Sequence, residues 1–138
     1  MTPADSYIPE SREFDAEKAL SPWVEMWNSY DLRRVDDLFA RDSVLSYFSS
    51  EKEGVILGID AVREHHKGFG FVEGGKSSDN RLWLEGLFSA VYGSTALVTG
   101  IWFFRRGNGQ EMRGPVTFVF SQEAGEHRLV HLHFGNYR

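Results

Sequence analysis

From Arg81 onward, apolar and polar positions alternate in four runs: Leu82 to Tyr92, Thr95 to Arg105, Glu111 to Ser121 and His127 to Phe134. A period of two places alternate side chains on opposite faces, so each run predicts a β-strand. Only Gly93-Ser94, Gly107-Asn108-Gly109 and Ala124-Gly125-Glu126 separate them, and these turn signals predict an antiparallel meander. Ile101-Trp102-Phe103-Phe104 is apolar on both faces. That strand is expected to be central, with one face against helices and the other against a second body such as another subunit.

The N-terminal half follows a longer period. Phe14, Leu20, Trp23, Val24 and Trp27 approximate helical spacing and predict a first helix reaching about Tyr30. Pro22 either kinks that helix or starts it, with Ser21 as N-cap. Leu32, Val35, Leu38 and Phe39 form one stripe of a short second helix that Asp31 can cap. DSVLSYFSS, residues 42 to 50, reads as a strand, Gly54 and Gly58 bracket a turn-rich passage, and Ile59 to Lys67 predicts a third helix with Ile59, Val62, His66 and Phe69 on its apolar face. Gly68 to Asn80, rich in glycine and serine, is a loop of the kind that borders a site. Residues 1 to 12 read as a mobile arm, leaving residues 13 to 138 as one domain. Helices in one half and consecutive strands in the other predict an α+β fold with the helices covering one face of the sheet.

Composition narrows the partners. The chain of 138 residues carries a net charge of −5 with its Lys and Arg scattered, which argues against nucleic acid. It has no cysteine, so thiol chemistry and disulfides are excluded. No stretch approaches the ~20 apolar residues of a membrane span, so a soluble cytoplasmic protein is expected. The 14% aromatic content suits a bulky core or a ring-lined cavity for a flat, largely apolar ligand.

Candidate chemistry gathers in a few places. His131 and His133 alternate on the last strand and should stand parallel, about 6 to 7 Å apart at their α-carbons. That spacing suits two metal ligands or two hydrogen-bonding groups of a polar pocket. His65 and His66 follow Val62 by three and four positions, so at least one should point inward; His66 is the one on the apolar stripe. Arg113, in an otherwise apolar strand, pairs with an acid such as Glu85 or reaches a ligand, because burying it unpaired costs several kcal/mol. No cofactor and no metal are called for by any recognisable ligand spacing.

The junction Asn28-Ser29-Tyr30-Asp31-Leu32, the helix end Leu38-Phe39-Ala40-Arg41-Asp42, the helix start Leu57-Gly58-Ile59-Asp60-Ala61-Val62-Arg63, and the closing runs ALVTGIWFF, MRGPVTFVFS and HRLVHLHFG resemble the nuclear transport factor 2-like superfamily. Within it the three closing runs look like the final three strands of the SnoaL-like branch, to which the association domain of calcium/calmodulin-dependent protein kinase II is also similar. Val130-His131-Leu132-His133 fits that branch's closing strand, with Gly135 where serine is usual. The resemblance implies a cone-shaped, curved, mixed or antiparallel sheet with three helices folded over a blind pocket. Its members include polyketide cyclases, ketosteroid isomerase, scytalone dehydratase, epoxide hydrolases and assembly domains without chemistry, so fold alone does not set activity.

By similarity to scytalone dehydratase, Tyr30, Asp31, Tyr47 and the histidines His66, His131 and His133 would position a water for acid-base dehydration. The ketosteroid isomerase and epoxide hydrolase patterns need strand aspartates, and the four runs contain none. Trp27, Trp102, Phe69 and Tyr30 would wall the pocket, with Arg113 as a ligand contact. Two readings result. One is a small-molecule pocket protein of the SnoaL-like type, a cofactor-independent cyclase, isomerase or dehydratase. The other is a non-catalytic dimerisation or accessory domain. A homodimer through the sheet is expected in either case.

Overall fold

The computed structural model describes residues 14–41 and 45–137. Helix α1 (Ala16–Ser29) starts where the Asp15 carboxylate accepts the Lys18 N–H at 3.2 Å and ends at Tyr30. Tyr30 adopts a left-handed conformation (φ 59°) that returns its N–H to the Met26 carbonyl at 2.8 Å. Pro22 lies inside this helix. Of the alternatives open at Pro22, the helix beginning there is therefore excluded. The ring removes one backbone donor, and Lys18, whose carbonyl would have received it, is exposed to water.

Helix α2 (Arg34–Leu38) is little more than one turn. Its C-terminal carbonyls would be orphaned, and the Arg128 guanidinium covers them, donating to Asp36 and Asp37 at 2.9 and 3.0 Å. Helix α3 spans Ile59–Gly68, one residue beyond the expected end.

Strands β1 (Ser46–Phe48), β2 (Val55–Leu57), β3 (Arg81–Tyr92), β4 (Thr95–Arg105), β5 (Glu111–Glu123) and β6 (Glu126–Phe134) form one sheet in the order β2-β1-β6-β5-β4-β3. The meander is as expected. The short β2 occupies the passage read from sequence as turn, and β1 runs parallel to β6 while every other pair is antiparallel. The sheet is mixed for that reason.

At its other edge β3 has no strand neighbour among the described residues. The Asn28 carboxamide of α1 substitutes for one, accepting the Leu82 N–H at 2.9 Å and donating to the Leu82 carbonyl at 3.0 Å.

Alternation assigns the faces. Val98, Trp102, Val116, Phe118, Phe120, Leu129, Leu132 and Tyr47 point toward the helices and are buried against Leu20, Trp23, Met26, Val35, Phe39 and Val62. Each such side chain contributes roughly 1.5–3 kcal/mol. The opposite face carries Phe48, Leu57, Phe88, Leu97, Ile101, Phe103 and Val119. β4 is not central as expected but second from the sheet edge, and on its outer face Ile101 and Phe103 are only half-buried while Trp102 on the inner face is fully so, so within this chain the second apolar face has no covering body among the described residues. The expected arm over residues 1–12 lies outside the described residues.

Candidate functional site

The space between helices and sheet is not empty. Trp23 is fully buried there, with Phe118 at 5.0 Å and Phe134 at 5.7 Å between ring centres. A small open cleft of about 120 Å³ remains beyond it. Its wall is aromatic because the alternation of β4 brings Trp102 and Phe104 to the inner face opposite Trp27 of α1, with Phe69 and Phe134 beside them. Trp27 meets Phe69 at 5.4 Å, Phe71 at 4.9 Å and Phe104 at 6.3 Å. Trp102 meets Phe134 at 5.7 Å and donates its indole N–H to the Gly135 carbonyl at 2.8 Å, so these rings are held rather than loose.

Polar groups gather at the same wall. Tyr30, Tyr47, Ser49, Ser50, Glu51, Asn80 and Arg106 all line the cleft. Tyr47 is fully buried, and burial pushes its phenol well above the usual tyrosine range, so it stays protonated at neutral pH. Arg106 is exposed, its guanidinium lying over the Phe104 ring at 5.7 Å. The Ser49–Glu51 rim is tied to the C-terminal segment by Asn136, whose amide donates to the Ser50 carbonyl at 3.1 Å.

The structure thus assembles Trp27, Tyr30, Tyr47, Phe69 and Trp102 around one cleft, from elements far apart in sequence. The remaining expected site residues lie elsewhere. His131 and His133 face away from it. Phe120 pairs with Leu129 and Val119 with His131, so Val130 is an extra residue in the ladder. This bulge shifts the alternation. Leu129, Leu132 and Phe134 then face the core, and the two histidines face outward beside Phe48, at 6.1 and 5.0 Å. Among the described residues no group of three or more His, Asp or Glu could hold a metal ion.

His66 points inward, as its stripe requires, but is buried beneath the wall against Trp27, Tyr47 and Phe71. Its Nδ1 lies 2.8 Å from the Val62 carbonyl and must donate there, leaving Nε2 as a buried atom without a partner among the described residues. Burial pushes its pKa down to about 4, so the ring is neutral.

Asp31 does not cap α2 with its side chain. Its carboxylate takes the Arg33 guanidinium at 3.2 Å and the backbone N–H groups of Arg33 and Gly74 at 3.1 and 3.0 Å, and the Arg33 hydrogen bond first of all holds its pKa down to about 2. That binds the 72–75 turn to the start of α2 and leaves the carboxylate off the cleft wall. Arg113 is exposed on the outer face with its guanidinium over Tyr137 at 5.3 Å, and Glu85 instead accepts the Trp83 indole N–H at 2.9 Å. Because Arg113 never leaves water, it incurs no desolvation cost.

Asn80, Arg106, Phe104, Leu82 and Glu51 line the cleft without having been singled out from sequence. A signal existed for two of them: Phe104 and Arg106 follow Trp102 at steps of two, hence on one face. Nothing local marks Glu51 or Asn80.

No family model matches the sequence, and no curated protein matches it. Solved structures do match its fold. An NTF2-like protein of unknown function from Pseudomonas putida superposes with a TM-score of 0.75 at 16% identity, covering 87% of this chain and 82% of that one. A proposed dehydratase of the NTF2-like family from Streptomyces avermitilis gives 0.74 at 19% identity over 94% and 99%. The association domain of C. elegans CaMKII gives 0.73 at 16% identity over 95% and 98%. The expected curved α+β architecture and these superpositions agree: the chain has the nuclear transport factor 2-like fold.

Proposed function

We propose that this chain is a small-molecule pocket protein of the SnoaL-like type, whose cleft receives a flat, largely apolar compound of the aromatic or polyketide class. The observation that carries the reading is the wall itself, in which Trp27, Phe69, Trp102, Phe104 and Phe134 surround one opening and Tyr30, Tyr47, Asn80 and Arg106 supply polar contacts. Ring-lined clefts with few, placed polar groups are the usual form of small-ligand sites. If the cleft performs cofactor-independent acid-base chemistry of the cyclase, isomerase or dehydratase kind, Tyr30, Tyr47 and Glu51 are the groups placed to move a proton, and the histidines are not. Likeness to the proposed dehydratase supports this finer reading at the level of fold.

Isothermal titration with planar bicyclic aromatics tests it. Saturable binding, weakened at least tenfold by Trp27→Ala in a protein that still folds, is expected. Binding unaffected by Trp27→Ala would refute it.

The alternative role, a domain that pairs with a second copy through its sheet, has its own support. The outer face exposes Leu57 (56%), Tyr92 (64%) and Phe88 (70%) together with Phe48 and Val55, an apolar surface of the kind that marks an interface. The CaMKII association domains that share the fold are consistent with this reading. The two roles use opposite faces and are compatible. Light scattering is expected to find a dimer at micromolar concentration and a monomer for Phe88→Glu; a wild-type monomer would end this second reading.

A further inference from the structure

Hydrogen-bond polarity at the cleft wall can be assigned without knowing where any hydrogen sits. The Gly107 backbone N–H can only donate, and the side-chain atom of Asn80 lying 3.0 Å from it must therefore be the carbonyl oxygen Oδ1. The other end of the same amide is then Nδ2, which can only donate, and it lies 2.9 Å from Tyr30 Oη. Tyr30 accepts this bond, so its own proton has to go elsewhere. Among the described residues no acceptor receives it, and Tyr30 lines the cleft.

The ring cannot turn to relieve this. It is buried, packed on Phe71 at 5.0 Å between ring centres, with the Lys76 ammonium 5.2 Å from its centroid. Two further wall groups share the polarity. Tyr47 is held protonated, and Arg106 can only donate. The wall carboxylate, Glu51, sits with Ser50, whose hydroxyl lies 3.5 Å from it.

Resting on the pocket reading above, we infer that Asn80 is a positioning residue that fixes Tyr30 as a hydrogen-bond donor into the cleft, so that the cleft selects planar aromatic compounds bearing an acceptor oxygen, a carbonyl or carboxylate. The aromatic wall takes the body of such a molecule, and the Tyr30 hydroxyl takes its oxygen. A ligand of the same shape without that oxygen covers the phenol and leaves its proton unpaired, which is the costly outcome in hydrogen bonding.

The probes are 2-acetylnaphthalene, which carries an acceptor, and 2-ethylnaphthalene, which has nearly the same shape and none. Titration calorimetry of the wild-type protein is expected to show the ketone bound about tenfold more tightly, the equivalent of one hydrogen bond of about 1.4 kcal/mol. Tyr30→Phe is expected to abolish the difference. Asn80→Asp is the sharper test, because a carboxylate still accepts the Gly107 N–H but now accepts from Tyr30 as well, turning the phenol proton away from the cleft. It should keep the melting temperature within a few degrees, lose the same tenfold preference, and lose nothing more when combined with Tyr30→Phe.

Equal binding of both probes by the wild type, or an Asn80→Asp protein that still prefers the ketone, would overturn the donor assignment while leaving the pocket reading in place. If neither probe binds saturably, the pocket reading falls and the inference with it.

Discussion

The Ser46 hydroxyl and His131 Nδ1 lie 2.7 Å apart across the parallel β1–β6 pair, on the face of the sheet turned away from the cleft. Ser46 and His131 are register partners, and their bond joins the two-stranded β1–β2 flap to the end of the meander. Its role is to hold the sheet together. His131→Ala is therefore expected to cost about 1 kcal/mol in urea unfolding and to change naphthyl-ketone affinity by less than about twofold. A loss of affinity as large as that of Tyr30→Phe would show that the outward histidines reach the ligand.

Acid should weaken the fold through His66. Its folded pKa is pushed from 6.5 to about 4 by burial. Between those values the unfolded chain binds a proton that the folded chain does not, so stability is complete above pH 6.5 and falls as the pH drops toward 4. His65, lowered by burial and then by Lys52, and His131, lowered by burial and then by His133, act in the same direction. Asp31, held down to about 2 by Arg33, contributes stability above its usual 3.8 that is lost only as the pH approaches 2. His66→Leu should remove on the order of 3 kcal/mol of the wild-type loss between pH 6.5 and 4. Parallel unfolding curves for the two proteins across that range would disprove it.

The Asn28 clamp predicts a local effect. Asn28→Ala removes both bonds to Leu82 and leaves the edge of β3 to water at one point, at a cost of about 1–2 kcal/mol. Hydrogen exchange should accelerate first at the Leu82 amide, ahead of β4 and β5. Uniform acceleration across the sheet would mean that the clamp is not local.

Gly114 is buried where the closing segment passes, and a Cβ there would collide with the Gly135 backbone carbonyl. Backbone cannot yield as a side-chain tip does. Gly114→Ala is expected to lower stability by roughly 1–3 kcal/mol and, by displacing Gly135, to break its bond to the Trp102 indole. A change in near-ultraviolet circular dichroism would register the loss. An unperturbed spectrum and melting temperature would refute the contact.

Much of this protein was legible along the chain, because the signals concerned are local. Thr95 to Arg105 and Ile59 onward announced their period, and the same two-step period that placed Trp102 on the inner face also carried Phe104 and Arg106 there. The three residues of β2 were too few to show a period, and the parallel pairing of β1 with β6 joins segments some 85 positions apart, as the Ser46–His131 bond does. The clearest misplacement came from one residue. Val130 looks like any other strand valine, yet as the bulge it turns His131 and His133 from the inner face to the outer one.

The amino-acid order by itself determined the helices, the meander, the α+β class and the supply of rings for a cavity wall, since each depends on spacing within one short segment. Only the folded chain decided which polar groups share the cleft. The geometry that takes Asn80 to both Gly107 and Tyr30, leaves His66 beneath the wall and sends Arg113 to solvent is set by register and curvature, which sum contacts over the whole sheet and leave no mark at any single position.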